Sequence, residues 1–516
     1  MTDQEADGAF KAHRRVAKGI GSTALARLGA LVEVVAQPVY VLMFGLTGYG
    51  FYAVLWAAIN LAENVFDLGM TSAMQRTVPR SSDDADAAAA LRTALLLGVG
   101  PCLVAAAFIA WQAPAIAPLL NVSPGDADKA VPALRLFIWT LPMWAFVEVA
   151  TSALRARMLF GAEIRLRVVW EQIIRLGGAT ILYFAGFGLL GLFIAHLFSL
   201  TATAALCLRL LARHYRLPLL LKGPFWPRIA GDTALAGITI VPSNIVARIF
   251  SDAPALAVNQ LLPGADGAAA GGLFIIARKL SSVVQLVNIA FSYVLAPLAS
   301  SSERRSRAEV RMIYSYAVRL IFVIAVPLAV VLATGSAPLL SLFGRGAEAA
   351  EAAVVVLLVA RAAEAVMGVS LPVLQVVAAF RHQLTASLVG LAVASIAGFA
   401  LIDRLPPLIA VTIAAATALV ATAAVPMLQL WRFEALHPFT AAFPRVALIS
   451  LGATAAGGAL AFAARSLPDA FAIPLVLAIA LASVWTSARF ALPLGDRLSL
   501  GKAGRGLRLV RAGPPS

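Results

Sequence analysis

Long apolar runs alternate with short polar links along the whole chain. A helix needs about 20 apolar residues to cross the hydrocarbon core of a bilayer, and each run is close to that length. The pattern predicts an all-α polytopic membrane protein with about fourteen spans, at Gly19–Phe44, Gly50–Met74, Ala89–Trp111, Pro132–Ser152, Val168–Phe187, Leu189–Leu211, Ile229–Gln260, Gly271–Leu298, Ile313–Thr334, Ala352–Val377, Leu384–Ile402, Leu408–Leu430, Val446–Ala464 and Phe471–Phe490.

The links between the spans are short, and none has the length of a catalytic domain. The first apolar run is longer than the apolar core of a signal peptide, which has about 7–15 residues, so it is predicted to stay as the first span. Cys102 and Cys207 lie in separate apolar runs and are typical of small core residues rather than of a disulfide framework or a metal site. We expect no enzymatic activity, no metal and no cofactor.

The composition agrees with a membrane protein. The chain is 61% hydrophobic and 13% charged, whereas soluble domains are about 45–50% apolar and about 25% charged. The net charge of +15 does not indicate nucleic acid binding, because the basic residues punctuate hydrophobic runs and form no soluble basic patch with aromatic residues. The lipid bilayer is the expected surrounding.

Basic residues in the links predict the orientation of the chain. Nearly all of them lie on the side of the N-terminus, and the opposite side has only Lys129, Arg345, Arg404 and Arg465. Because basic links stay in the cytoplasm, both termini are predicted to be cytoplasmic. The predicted cytoplasmic segments are the N-terminal tail 1–18, the linker 212–228 and a Gly/Arg-rich tail 495–516, which is expected to be disordered.

Two segments of the chain share one pattern. Both Leu46–Arg80 and Leu261–Ser300 have a glycine-rich turn, a long apolar helix and a polar edge, and Gly50 corresponds to Gly272. An even number of helices separates them, so the repeats have the same orientation. The repeat predicts two parallel six-helix lobes, 19–211 and 229–430, around a central cavity, followed by two C-terminal helices at 446–490.

Several spans contain charged residues. A charge at the centre of a spanning helix costs about 2.5–3.5 kcal/mol on insertion scales, so such residues usually face a cavity or a partner. The second half of the chain supplies candidate cavity cations for an anionic substrate group: Arg248, Arg278, Lys279 and Arg361. The first half supplies acidic candidates for ion coupling, namely Glu63, Glu148 and Asp67.

Internal pairing is the alternative for these charges. Arg248 and Asp252, Glu171 and Arg175, and Arg361 and Glu364 are three or four residues apart and would neutralise each other. No acid lies within one helical turn of Arg278 and Lys279 in the sequence, which favours cavity lining. For Glu63, coupling and a structural hydrogen bond are equally open. Asp67 lies near the inner surface, where capping is favoured, and the isolated His196 is more typical of a structural hydrogen bond.

The opening repeat resembles a known family. LTGYGFYAVLWAAINLAENVFDLGMTSAMQRTVPR is similar to the first spans of polysaccharide-transport (Wzx-like) flippases, which belong to the multidrug/oligosaccharidyl-lipid/polysaccharide (MOP) exporter superfamily. The matching positions are Gly48, Gly50, Tyr52, Asp67, Gly69 and Arg76. The second copy resembles that family's eighth span at Arg278, Lys279, Pro297 and Ser300.

The resemblance implies a multi-pass protein of the bacterial inner membrane. Its substrate would be an undecaprenyl-diphosphate-linked oligosaccharide, carried to the periplasmic face by alternating access with ion coupling, and its partners would include the polymerase and glycosyltransferases of the same pathway. Arg248, Arg278 and Lys279 would hold the diphosphate, and Glu63 or Glu148 would couple the ion.

Other functions stay open from the sequence. A lipid II flippase or a drug/cation antiporter of the same superfamily is the nearest alternative, although drug antiporters usually lack the last two spans. A membrane-embedded glycan polymerase or glycosyltransferase would require a large extracytoplasmic loop, which the sequence does not contain.

Overall fold

The computed structural model describes residues 30–157, 159, 164–222, 227–303, 307–377 and 381–510. These residues form helices and short links, and no β-strand occurs among them. Eleven of the described helices are long and apolar enough to cross a membrane. The predicted fold class is confirmed. The N-terminal tail and the start of the first predicted span lie outside the described residues.

The described residues form two compact units, which divide between Ile275 and Ile276. The helices of the first unit are α1 Ala30–Phe66, α2 Met70–Thr77, α3 Asp84–Trp111, α4 Ala127–Phe137, α5 Thr140–Ala156, α6 Glu171–Phe184, α7 Gly188–His214, α8 Leu217–Lys222, α9 Pro227–Ile238, α10 Val241–Leu261 and the start of α11 Gly264–Glu303. Short 3₁₀ turns and a π-helix at Ile164–Trp170 connect some of them.

The second unit contains the rest of α11 and ten further helices. They are α12 Arg307–Thr334, α13 Ser336–Ser341, α14 Glu351–Gly368, α15 Ser370–Val377, α16 Arg381–Leu401, α17 Pro407–Glu434, α18 Phe443–Ala464, α19 Asp469–Ala491, α20 Leu494–Ser499 and α21 Gly501–Gly506. The first unit therefore includes span seven and the beginning of span eight, which the repeat assigned to the second lobe. The lobe boundaries stay a prediction.

Three differences explain why eleven long helices are described where about fourteen spans were predicted. Spans one and two are both within α1. Span five is a π-helix, Ile164–Trp170, followed by the 14-residue α6. Span seven is divided into α9 and α10. Every predicted span thus has a helical counterpart among the described residues, but the number of membrane crossings stays a prediction.

The segment α1 consists of two helices joined by a turn rather than one straight helix. Gly45 has φ 76° and ψ 163°, which lies outside helical geometry and which glycine adopts without a steric penalty. Tyr49 donates a hydrogen bond of 2.6 Å to Gln37. In a straight helix these residues would be about 18 Å apart along the axis. The chain therefore folds back at Gly45, close to the turn predicted at the start of the opening repeat.

The two equivalent glycines of the repeats meet in the first unit. A β-carbon at Gly50 would overlap the carbonyl oxygen of Ala268, and one at Gly272 would lie 2.9 Å from the α-carbon of Gly50. The backbones of α1 and α11 are close enough here that only glycine fits. The sequence showed that the positions correspond, and the fold places them in contact.

The core of the second unit is α12. It packs against α14, α18 and α19, and buried residues occur around its whole circumference from Val310 to Ala333. A helix that is apolar on all sides is stable only when neighbours cover every side. This explains why the most hydrophobic of the long helices lies at the centre of its unit.

The C-terminal segment is ordered where disorder was predicted. Residues from Leu494 onward form α20 and α21. The buried Arg319 of α12 donates to both carboxylate oxygens of Asp496, at 2.7 and 3.1 Å. A second bond of 2.8 Å joins Tyr316 and Ser499. The expectation of a disordered tail was wrong for this segment, because a buried two-point ion pair holds it on the core. Residues 511–516 lie outside the described residues.

Candidate functional site

A buried polar stripe lies near the end of α1. Asn60, Glu63 and Asp67 have exposed fractions of 7%, 3% and 4%. With Asn64 they recur at intervals of three and four residues, which places them on one helix face. Asn64 donates through Nδ2 to a carboxylate oxygen of Glu63 at 2.8 Å and to the carbonyl of Asn60 at 3.0 Å. The predicted stripe exists and is buried.

Glu63 is the acidic residue at the centre of this stripe. Among the described residues no basic side chain lies within ion-pair distance of its carboxylate, and the bond from Asn64 is its side-chain contact. Glu148 and Asp67 repel its negative charge, whereas Arg167 and Arg248 attract it. A buried carboxylate in this setting is able to hold a proton or a small cation.

Asp67 stabilises the start of α2. Its carboxylate accepts a hydrogen bond of 3.3 Å from the backbone amide of Thr71. The chain turns between α1 and α2 through Leu68 and Gly69, which both have positive φ. Gly98 of α3 leaves room for the carboxylate, since a β-carbon there would lie 2.7 Å from Asp67 Oδ1. These contacts agree with the capping role that the sequence favoured for Asp67.

Glu148 has a partner that the sequence did not reveal. Arg167, on the π-helix, approaches both of its carboxylate oxygens, at 2.7 and 3.1 Å. The same guanidinium lies over the ring of Trp144, 4.5 Å from the centroid. The two residues are 19 positions apart, so no local spacing in the sequence indicates the pair. Glu148 is therefore less available for an ion than Glu63.

Arg248 lies in the first unit, which also contains the acidic candidates Glu63, Asp67 and Glu148, here called the acidic cluster. It lies on α10, which packs along α1 in the first unit. Its guanidinium is 3.7 Å from the buried carboxylate of Asp252, and it acts electrostatically on Glu63. The internal pairing considered for this residue is present, and the first unit contains one of the four predicted cavity cations.

The other three predicted cations are in the second unit. Arg361 donates to Glu364 at 2.6 Å, so this pairing is also present. Arg278 and Lys279 are half-buried and adjacent on α11. Ser282 follows one helical turn later on the same side of α11. The structure therefore places Arg278 and Lys279 on a polar face, and cavity lining remains a prediction for both.

A second polar network lies deeper in the first unit. The fully buried His196 shares a hydrogen bond of 2.8 Å with the hydroxyl of Tyr52 and lies against the rings of Trp56 and Phe137. Sequence analysis favoured a structural hydrogen bond for this histidine, and the contact is of that kind. Glu171 and Arg175 form the predicted ion pair, and both are buried.

Solved structures define the class of this fold. An inward-closed structure of the lipid II flippase MurJ superposes with a TM-score of 0.68 at 11% identity, and the match covers 89% of this chain and 97% of that one. An inward-facing multidrug resistance MATE transporter of the MOP superfamily gives a TM-score of 0.65 at 17% identity, covering 81% and 98%. A MATE transporter of Vibrio cholerae gives 0.59 at 14%, covering 83% and 99%. The chain has the fold of MOP-superfamily transporters.

The family follows from the sequence comparison. Residues 44–345 match the family described as "Polysaccharide biosynthesis protein", and the chain belongs to it. No curated protein matches the sequence. The resemblance to polysaccharide-transport proteins of the MOP superfamily is confirmed at this level.

Proposed function

We propose that the protein is a flippase for undecaprenyl-diphosphate-linked oligosaccharide in the bacterial inner membrane. It moves this lipid from the cytoplasmic to the periplasmic face by alternating access, for assembly of a surface or exported polysaccharide. The observation that carries the proposal is the match of residues 44–345 to a polysaccharide biosynthesis family in a chain with the MOP transporter fold. A glycan polymerase and glycosyltransferases of the same pathway are the proposed partners.

The polar face of α11 supplies the head-group site in this proposal. A diphosphate carries several negative charges, which a membrane interior does not stabilise without cations. Arg278 and Lys279 are adjacent, half-buried and next to serine and amide side chains on the same helix. Arg248, which pairs with Asp252, and Arg361, which pairs with Glu364, are the other two proposed ligands.

The acidic cluster of the first unit supplies ion coupling in this proposal. Glu63 is the first candidate because its buried carboxylate has an amide partner and no described ion pair. Glu148 and Asp67 are weaker candidates, since Glu148 is held by Arg167 and Asp67 caps α2. Binding of a proton or cation at Glu63 would remove an uncompensated charge and change the relative stability of the two transport states.

Transport of the lipid-linked glycan tests the proposed activity. The purified full chain is reconstituted into liposomes that contain a fluorescent undecaprenyl-diphosphate-linked oligosaccharide in both leaflets. We expect the fluorescent lipid of the inner leaflet to become accessible to an external quencher faster than it does in protein-free liposomes. The same assay with lipid II and with a cationic dye tests the two superfamily alternatives. Movement of either of these, with none of the oligosaccharide lipid, would contradict the proposed substrate.

Replacing Glu63 by Gln should remove the response to an ion gradient. The substitution keeps the shape and removes the charge. A pH gradient of one unit supplies about 1.4 kcal/mol per proton, so a coupled flippase should show up to a tenfold change in the distribution of substrate between leaflets. We expect this change in the wild type under a proton or sodium gradient and none in E63Q. The control is D403N, which alters an exposed link residue; an equal response in E63Q would assign Glu63 a structural role.

A further inference from the structure

A cavity of about 730 Å³ opens at one end of the first unit. It lies between the end of α2, the 3₁₀ turn Val78–Arg80, the start of α3 and the length of α9. This end of the unit is the one predicted to face the cytoplasm. None of the acidic candidates Glu63, Asp67 and Glu148 belongs to the lining, and the volume is in the range of small-ligand sites.

Three arginines line this cavity: Arg76, Arg80 and Arg228. Arg76 and Arg80 are one helical turn apart, and Arg228 approaches from α9. None of the three makes an ion pair or a side-chain hydrogen bond with another described residue. Such a set of arginines is suited to an anion with several oxygen atoms. Each guanidinium is able to donate two parallel hydrogen bonds to a phosphate or a carboxylate.

The fold holds these arginines in place. The backbones of α2 and α9 meet at Gly69 and Gly237, where a β-carbon on Gly69 would overlap the carbonyl of Gly237. Met70 fills the remaining space beside Gly237. This close crossing joins the backbones of α2 and α9, the two helices that carry Arg76 and Arg228.

Two carboxylates belong to the same cavity and leave its charge positive. Asp86 is engaged at the start of α3, where one of its oxygens accepts a bond of 3.3 Å from the amide of Ser82. Asp232 is exposed on α9. Three arginines against two carboxylates leave an excess of one positive charge in the lining.

The rim of the cavity is partly apolar. Leu235 belongs to the lining and has an exposed fraction of 64%, and Ile229 lies beside Arg228. Arginines next to exposed aliphatic side chains, at the end of membrane-spanning helices, match a molecule with a phosphate head and a lipid tail.

We infer that this cavity binds the phosphate group of a membrane lipid, through Arg76, Arg80 and Arg228. The chemistry fits two sources, a polyprenyl diphosphate and an anionic phospholipid. If the source is the diphosphate, the cavity is a loading site on the cytoplasmic side of the flippase, and only this refinement rests on the proposed function. Phosphate binding itself does not require transport.

Binding of labelled farnesyl diphosphate to the purified full chain in detergent tests the site. Loss of hydrogen bonds to charged groups corresponds to about tenfold or more in affinity. We therefore expect at least tenfold weaker binding in R76Q/R80Q. The control R209Q/R213Q removes two exposed arginines from the same unit and should bind as the wild type does. Thermal unfolding in detergent without ligand establishes that both variants are folded.

Competition separates the two sources of phosphate. Displacement by inorganic pyrophosphate and not by dihexanoyl phosphatidylglycerol would support a diphosphate ligand, and displacement by both would support a phospholipid head group. Wild-type affinity in R76Q/R80Q, with binding lost in R278A/K279A, would place the diphosphate elsewhere and overturn the inference. Arginine-dependent binding in a chain that moves no oligosaccharide lipid would keep this site and contradict the proposed function.

Discussion

Replacing Arg278 and Lys279 together by alanine should reduce glycan export by about 100-fold. Each lost hydrogen bond to a charged group costs about 1.5–3 kcal/mol, and about 1.4 kcal/mol is a factor of ten, so two lost contacts give at least this effect. The measurement is the rate of oligosaccharide-lipid movement in liposomes, together with surface glycan in cells that express the variant. Both residues lie on one helix, so the double variant alters one face of α11.

A matched control distinguishes head-group binding from a general effect of charge. R345A/R404A removes two exposed arginines from links of the same unit and should export at the wild-type rate. R278K/K279R keeps the charge, changes the hydrogen-bonding geometry and should retain part of the activity. Protein abundance and thermal unfolding are measured for all three. Export at the wild-type rate by a folded R278A/K279A chain would remove both residues from the proposed site.

Replacing Gly50 by alanine should destabilise the first unit by about 1–3 kcal/mol or more, the usual cost of overpacking. The added methyl group would overlap the carbonyl oxygen of Ala268, and a backbone atom is not able to move aside by changing a rotamer. The backbone amide of Gly264, the first residue of α11, donates a hydrogen bond of 3.2 Å to the side chain of Asn121, which limits how far α11 is able to shift. The measurement is thermal unfolding in detergent.

Gly177 and Gly272 are the matched comparisons for this prediction. A β-carbon at Gly177, on α6, meets nothing within 4 Å, so G177A should be neutral or should stabilise its helix by about 0.5–1 kcal/mol. G272A should be destabilising, because its β-carbon approaches Gly50 itself. Since both glycines serve one crossing, the effects of G50A and G272A should not add in the double variant. Equal stability of G50A and G177A would show that the two backbones separate easily.

The acidic cluster illustrates why spacing along one helix predicts only part of a site. Asn60, Glu63 and Asp67 were predicted together because a single helix face brings them together. Arg167 was missed because its partner, Glu148, belongs to a different helix, and no local pattern connects them. Arg248 was predicted to be a cavity cation, with pairing to Asp252 as the alternative. The structure shows this pairing and places Arg248 on α10, which packs beside α1.

The C-terminal segment also shows that local sequence patterns do not predict long-range contacts. Its glycine and arginine content is typical of disorder, and nothing adjacent to Asp496 in the sequence indicates a partner. Its partner is Arg319, which is 177 residues earlier on the central helix of the second unit. The attraction between two buried charges exceeds the local preference of the segment because both carboxylate oxygens are bonded.

The sequence by itself determined the fold class, the helical spans and the family, because hydrophobic length and helical periodicity are local properties that a bilayer makes decisive. It also showed that Gly50 and Gly272 are equivalent positions and that Glu63 lies on a polar stripe. Only the tertiary structure decided that these glycines touch, that Glu148 is paired while Glu63 has an amide partner, and that three arginines meet in one cavity. Contacts of this kind join residues far apart in the chain, and packing, rather than spacing, brings them together.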